Sequence, residues 1–96
     1  MATLDLLAQK RREILHLAAR HGARNVRVFG SVARRSDQAS SDIDLLVDME
    51  PGRSYLDFVA LSQQLEDLIG RRVDLLSDGG ISPYLRERIY GEAKPL

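Results

Sequence analysis

The sequence contains no cysteine. The chain can therefore form neither a disulfide framework nor a thiolate zinc site. No apolar run approaches the roughly 20 residues that a membrane-spanning helix needs. The first residues also lack the basic start and apolar stretch of a secretory signal. These absences predict a cytoplasmic protein that does not act at a membrane.

An excess of charge of one sign is also missing. The 14 basic and 14 acidic residues cancel at pH 7, and this balance predicts no direct contact with nucleic acid. All basic residues except Lys10 and Lys94 are arginines, most of which we attribute to a genomic bias towards arginine codons. The 96 residues fit one compact domain. We therefore predict a single domain over residues 1–96, with no separate domain for an acceptor.

Hydrophobic periodicity predicts the order helix, strand, strand, helix, strand, helix. The first helix is expected over residues 4–20, capped by Thr3 and ended at His21-Gly22. Later helices are expected after Ser54 and at Ser82-Pro83. Strands are expected over residues 25–29, 42–48 and 73–76. This order predicts an α/β (α+β) fold in which helices flank a small mixed three-stranded sheet.

The most informative pattern is the pair of acids in the second predicted strand, Asp42 and Asp44. Residues two apart on a strand project to the same face, whereas Ile43, Leu45 and Val47 project to the other. Two neighbouring carboxylates repel, and burying them is costly unless a cation or protonation neutralises them. We therefore interpret this pair as a candidate metal site.

Asp74 extends this pattern, because it is a single acid among the apolar residues of the third predicted strand. If that strand lies beside the second, three carboxylates surround one point. Oxygen ligands of this kind suit Mg²⁺ or Mn²⁺. Such a site can hold two ions about 3.5–4 Å apart, as in-line phosphoryl transfer requires.

A candidate phosphate-binding segment follows the first predicted strand at Gly30-Ser31. Glycine lets a phosphate approach the backbone closely, and free backbone N–H groups with the Ser31 hydroxyl are donors for phosphate oxygens. Arg34 lies within reach of the same point and can clamp phosphate oxygens with two hydrogen bonds. A plain turn followed by a solvated arginine is the alternative interpretation.

The residues Gly30-Ser31-Val32-Ala33-Arg34, followed after a polar loop by Asp42-Ile43-Asp44-Leu45, resemble the signature of the DNA polymerase beta-like nucleotidyltransferase superfamily. Within it the chain is similar to the minimal nucleotidyltransferases, the MNT family, over nearly its whole length. The resemblance implies that Gly30 and Ser31 bind the triphosphate of ATP. It also implies that Asp42 and Asp44 bind Mg²⁺ and that Asp74 completes the site and helps to deprotonate the attacking hydroxyl.

The resemblance also implies a partner. Minimal members are usually encoded beside a helical protein of the HEPN class, and similar pairs are toxin–antitoxin systems in which the nucleotidyltransferase transfers AMP onto a tyrosine of the toxin. Such an antitoxin is our leading hypothesis. Two alternatives are an antitoxin that neutralises its partner by binding alone, and a small-molecule adenylyltransferase acting as a homodimer.

The chain departs from the family pattern at Arg35, where members commonly have glycine. A glycine at this position permits an unusual backbone angle. The substitution is therefore expected to affect the geometry of the loop and not the carboxylates. The family's proline near position 39 is also absent, since Ala39 stands there.

Overall fold

The computed structural model describes residues 2–96. Its helices are α1 (Thr3–Gln9), α2 (Arg11–Arg20), α3 (Gly30–Ala33), α4 (Tyr55–Ile69) and α5 (Pro83–Glu92). Its strands are β1 (Ala23–Phe29), β2 (Ile43–Met49), β3 (Val73–Ser77) and β4 (Lys94–Pro95), and a 3-10 turn covers Asp78–Gly80.

The strands form one mixed sheet in the order β3-β2-β1-β4. β1 is antiparallel to β2 and to β4, whereas β2 and β3 run parallel and are connected by α4. The end of β1 therefore lies beside the beginnings of β2 and β3. That end of the sheet brings together the predicted site residues other than Asp42.

The two faces of the sheet have different partners. One face carries Ile43, Leu45 and Val47 of β2 into the main core, where they are fully buried with side chains of α1, α2 and α4. The other face carries Leu46 of β2, which packs with Phe29 and with Ile89 of α5. Because side chains alternate along a strand, Asp44 lies on this second face, beneath α5.

The fold confirms the predicted class and differs in several details. The first predicted helix is divided at Lys10 into α1 and α2. Thr3 is not its cap, because the Thr3 hydroxyl instead donates a hydrogen bond to Asp37 (2.5 Å). A fourth strand, β4, pairs with β1 and had no signal in the sequence, since a two-residue strand has no periodicity.

Other boundaries follow their sequence signals. Gly22 and Gly70 end α2 and α4 with positive φ angles of 75° and 78°. The Ser82 hydroxyl accepts a hydrogen bond from the N–H of Tyr84 at the start of α5, where Pro83 is the first helical residue. Across residues 2–96, every helix is too short or too polar to cross a membrane.

Candidate active site

The parallel pairing of β2 and β3 places Asp44 directly beside Asp74. The two residues are register partners, and a hydrogen bond between their carboxyl groups is one cause of the raised pKa of Asp44. On the other side of β2, Phe29 is the register partner of Asp44. The predicted adjacency of the second and third strands is thus confirmed, and two of the three predicted carboxylates are in contact.

Asp42 takes a different position from the one predicted. β2 begins at Ile43, so Asp42 precedes the strand, and its side chain is 50% exposed. Its carboxylate lies 4.0 Å from the Arg72 guanidinium. Among residues 2–96 no three side chains of the metal-binding types converge on one point. Of the three predicted carboxylates, those of Asp44 and Asp74 lie together, and Asp42 is near enough for its charge to raise the pKa of Asp44.

The electrostatics of the site centre on Asp44. Burial raises the pKa of Asp44, as do the negative charges of Asp74 and Asp42 and the hydrogen bond with Asp74, while Arg34 opposes the change. The net effect raises this pKa from 3.8 to about 6. At neutral pH the single positive charge of Arg34 therefore does not compensate for the burial of Asp44 and for the two neighbouring negative charges.

These residues fit a divalent cation. Like charges held together at a half-buried point favour binding of a cation, which removes the repulsion that raises the pKa of Asp44. Carboxylate oxygens are the ligands that Mg²⁺ prefers. Asp44 and Asp74 are register partners, and the negative charge of the half-exposed Asp42 side chain also acts on Asp44. A Mg²⁺ site at these three residues is consistent with the chain's own chemistry.

Gly30 positions the backbone of the predicted phosphate-binding segment against these carboxylates. It has a φ angle of 70°, in the left-handed region that favours glycine. A Cβ atom added to Gly30 would overlap the Asp44 carboxylate and lie 3.1 Å from its Cγ. Gly30 begins the short helix α3. Both local conformation and close packing require glycine here.

A cleft of about 370 Å³ opens above this end of the sheet, between α3 and α5. That volume lies in the usual range for small-ligand sites. Its apolar lining residues are Phe29, Leu76, Leu85 and Ile89, and its polar lining residues are Gly30, Ser31, Arg34, Asp44, Asp74, Arg88 and Glu92. The structure therefore brings together every predicted site residue except Asp42.

Two polar residues of the cleft were missed by sequence analysis, Arg88 and Glu92 of α5. The Glu92 carboxylate accepts hydrogen bonds from Arg34 (2.7 Å) and from the N–H of Gly30 (3.3 Å), and it lies 3.6 Å from the Arg88 guanidinium. In the sequence, Leu85, Arg88 and Glu92 share one helical face. That pattern does not indicate a function by itself, because only the packing of α5 over β2 brings these side chains to the cleft.

The loop between α3 and β2 is fixed by contacts at both ends. The N–H of Ser36 donates to the carbonyl of Ser31 (2.9 Å), and Arg71 donates to the carbonyl of Ser41 (2.6 Å) and to the Thr3 hydroxyl (2.7 Å). Arg35 has a φ angle of 60°. Arginine therefore adopts here the left-handed backbone angle that a glycine would permit, although it was expected to affect the geometry of the loop.

Asp48, at the other end of β2, is held by hydrogen bonds to side chains of β1. It accepts hydrogen bonds from Arg27 (2.6 Å) and Asn25 (3.0 Å). The hydrogen bond from Asn25 lowers the pKa of Asp48 and outweighs the opposing effect of burial, with further lowering by Arg27. This acid supports the packing of β1 on β2 and lies outside the cleft.

Comparison with known families gives one match over most of the chain. Residues 12–96 match the family model described as polymerase beta, nucleotidyltransferase. The match begins in α2 and runs through all four strands, so it includes both the Gly30-Ser31 segment and the carboxylates.

Similar proteins are found in archaea. The chain is 41% identical over 83 residues to a Methanocaldococcus jannaschii protein named as a protein adenylyltransferase, covering 86% of this chain and 89% of that relative. It is 43% identical over 79 residues to the protein adenylyltransferase MntA of Thermococcus cleftensis, covering 77% and 80%.

Solved structures share the fold. A structure described as a minimal nucleotidyltransferase superposes with a TM-score of 0.87 at 51% identity, covering 100% of this chain and 97% of that one. A toxin–antitoxin complex with AMP-PNP contains a chain that superposes with a TM-score of 0.75 at 22% identity, covering 88% and 69%. The second likeness concerns the fold alone.

Proposed function

The chain belongs to the polymerase beta nucleotidyltransferase family and within it to the minimal nucleotidyltransferases, and from that premise we propose that it transfers AMP from ATP onto a hydroxyl of a partner protein. The observation that carries this proposal is the contact of Asp44 with Asp74 at the floor of a cleft whose rim holds Gly30, Ser31 and Arg34. Acids for metal binding and donors for phosphate thus face the same space.

In the proposed reaction, the acceptor hydroxyl oxygen bonds to the α-phosphorus of ATP. The bond from that phosphorus to the oxygen bridging to the β-phosphate breaks, and pyrophosphate leaves. Asp74, which is exposed at the mouth of the cleft, is suited to accept the hydroxyl proton. The N–H of Gly30, the Ser31 hydroxyl and the Arg34 guanidinium orient the triphosphate by hydrogen bonds to its oxygens.

Mg²⁺ held by Asp42, Asp44 and Asp74 would polarise the α-phosphate and neutralise charge on the leaving group. Mn²⁺ would serve the same ligands. The proposed role of Asp44 is to hold the ion from the strand floor, because its backbone is fixed on both sides by β1 and β3. Asp42 and Asp74 lie at more exposed positions and complete the site.

The acceptor side of the cleft favours a protein substrate. Tyr84 is 95% exposed at the start of α5, and the adjacent Leu85 lines the cleft. An exposed aromatic and an exposed leucine beside an active site are typical of surfaces that contact another protein. The names of the archaeal relatives, protein adenylyltransferases, support the same acceptor class.

We further propose that this partner is a HEPN-type toxin and that the chain is its antitoxin, with a toxin tyrosine as acceptor. The similarity to MntA of Thermococcus cleftensis, which is named a protein adenylyltransferase, supports the proposed activity of the antitoxin. A complex with the partner would be hetero-oligomeric, and a homodimer is the alternative assembly.

The test is to incubate the purified protein with ATP, Mg²⁺ and the product of the neighbouring gene. Intact-mass spectrometry would detect the mass of AMP added to the partner. The Asp42→Asn/Asp44→Asn double variant removes two proposed ligands. Asp48→Asn is the matched control, because it neutralises an acid of the same strand outside the cleft.

Modification by wild type and Asp48→Asn but not by the double variant is the expected result. Modification by the double variant at the wild-type rate would refute the metal-dependent mechanism. If wild type and the double variant both bound the partner tightly and neither modified it, neutralisation by binding alone would be supported instead. Labelling of a small molecule without the partner would favour the homodimeric small-molecule enzyme.

A further inference from the structure

We propose that the Glu92 carboxylate occupies the triphosphate subsite of the free enzyme, and that the incoming nucleotide displaces it and takes over its partners Arg34, Arg88 and the N–H of Gly30. This inference rests on the proposed function for the identity of the nucleotide. It adds Arg88 to the residues that bind the triphosphate and gives α5 a part in nucleotide affinity.

The contacts of Glu92 are those that a phosphate would make. One carboxylate oxygen accepts from Arg34 at 2.7 Å and lies 3.6 Å from Arg88, while the other accepts from the N–H of Gly30 at 3.3 Å. Two guanidinium groups and a backbone N–H thus converge on one anionic group. A phosphate presents the same charge sign and the same oxygen acceptors to such donors.

The position of Glu92 in its own helix favours this role over a structural one. Glu92 is the last residue of α5, and the last turn of α5 contains no basic residue. A negative charge at a helix C-terminus is unfavourable because the carbonyl dipoles there are also negative. Burial also raises the pKa of Glu92, but Arg34, Gly30 and Arg88 together lower it below the ordinary value. Arg34 and the N–H of Gly30 across the cleft, together with Arg88 one turn earlier in α5, therefore stabilise the ionised carboxylate.

The exposure of the three side chains permits exchange of partners. Glu92 is 21% exposed, Arg34 is 45% exposed and Arg88 is 70% exposed, all at the edge of the cleft. Ion pairs that reach solvent contribute little to stability. A triphosphate with several negative charges can therefore compete for both guanidinium groups, after which the freed Glu92 side chain turns to solvent.

The experiment measures binding of a non-hydrolysable ATP analogue with Mg²⁺ by isothermal titration calorimetry, and of inorganic tripolyphosphate as a second probe. The variants are Glu92→Gln, which removes the competing charge, and Arg88→Ala, which removes a proposed phosphate ligand. Glu87→Gln is the matched control, since Glu87 is an exposed acid of the same helix. Thermal unfolding monitors the fold of each variant.

We expect Glu92→Gln to bind both probes several-fold more tightly than wild type, Arg88→Ala to bind them about tenfold more weakly, and Glu87→Gln to match wild type. Unchanged or weaker binding by a folded Glu92→Gln would overturn this inference while AMP transfer to the partner could still stand. Tighter binding by Glu92→Gln without any AMP transfer by wild type would support it and refute the proposed function. Failure of every protein to bind either probe would refute both.

Discussion

Gly30 and Asp44 are in contact where β1 ends and β2 begins, so closely that a Cβ atom on Gly30 would overlap the Asp44 carboxylate. The glycine also has a φ angle of 70°. This contact joins the proposed phosphate-binding segment to the proposed metal site.

Gly30→Ala is expected to abolish AMP transfer and to lower stability by about 2 kcal/mol or more, because the left-handed backbone costs about 1 kcal/mol for alanine and the overlap with Asp44 adds to it. Gly70→Ala is the matched control. Gly70 has a similar φ angle of 78° but nothing within 4 Å of an added Cβ. Urea unfolding and the AMP-transfer assay would be run on both. The contact with Asp44 would be unimportant if Gly30→Ala and Gly70→Ala lost the same stability and both kept full activity.

Asp44→Asn is expected to stabilise the metal-free protein at pH 7.5. The pKa of Asp44 is raised to about 6, so the folded state binds more protons than the unfolded state between about pH 4 and 6. This residue therefore destabilises the fold increasingly as pH rises through that window, and the penalty is complete above it. Allowing for solvent screening, we expect a gain of about 1–2 kcal/mol at pH 7.5 that disappears near pH 4.

The measurement is the melting temperature of wild type and Asp44→Asn across this pH range. Asp67→Asn is the control, because Asp67 is exposed on α4 and the same change should leave the melting temperature nearly unaltered. A stability difference between wild type and Asp44→Asn that did not vary with pH would contradict the proposed cause.

Addition of Mg²⁺ is expected to raise the melting temperature of wild type and to have little effect on the Asp42→Asn/Asp44→Asn double variant. A ligand that binds the folded state alone stabilises it in proportion to the logarithm of its concentration over Kd. Ca²⁺ and Na⁺ at equal ionic strength separate specific binding from screening. The idea would fail if the double variant were stabilised by Mg²⁺ as much as wild type.

Arg35→Gly is expected to stabilise the protein by up to about 1 kcal/mol, since glycine adopts the left-handed φ of 60° without a steric penalty. Arg35→Ala removes the same charge but keeps the penalty, so it is the control and should be neutral. Both changes should leave AMP transfer near the wild-type rate. If Arg35→Ala were as stabilising as Arg35→Gly, the charge and not the backbone angle would be responsible.

Asp48→Asn is expected to lower stability by about 1–2 kcal/mol without loss of AMP transfer, because it weakens the hydrogen-bonded pair with the buried Arg27. The lowered pKa of Asp48 means that its contribution is present above pH 4 and lost as pH falls further. The difference from wild type should therefore shrink towards pH 3. A stability difference that persisted undiminished at pH 3 would assign the loss to packing.

Much of the site was readable in the sequence because its signals are local. Asp44 is an acid within a strand of apolar residues, Asp74 repeats that pattern, and Gly30-Ser31 ends a valine-rich strand. Alternation along β2 then assigned Asp44 and Leu45 to opposite faces, as the structure has them. The helix boundaries at Gly22 and Pro83 were readable for the same reason, since each depends on one residue's backbone preference.

Tertiary structure alone decided which residues meet across long stretches of chain. The pairing of Asp44 with Asp74 depends on the parallel register of β2 and β3, which the loop and α4 set. The contact of Glu92 with Arg34 depends on α5 crossing the sheet, and periodicity within α5 cannot show what it covers. The sequence thus determined which residues are unusual at their positions, because backbone and burial preferences are local. The fold determined which residues contact each other, because these contacts join residues far apart in the chain.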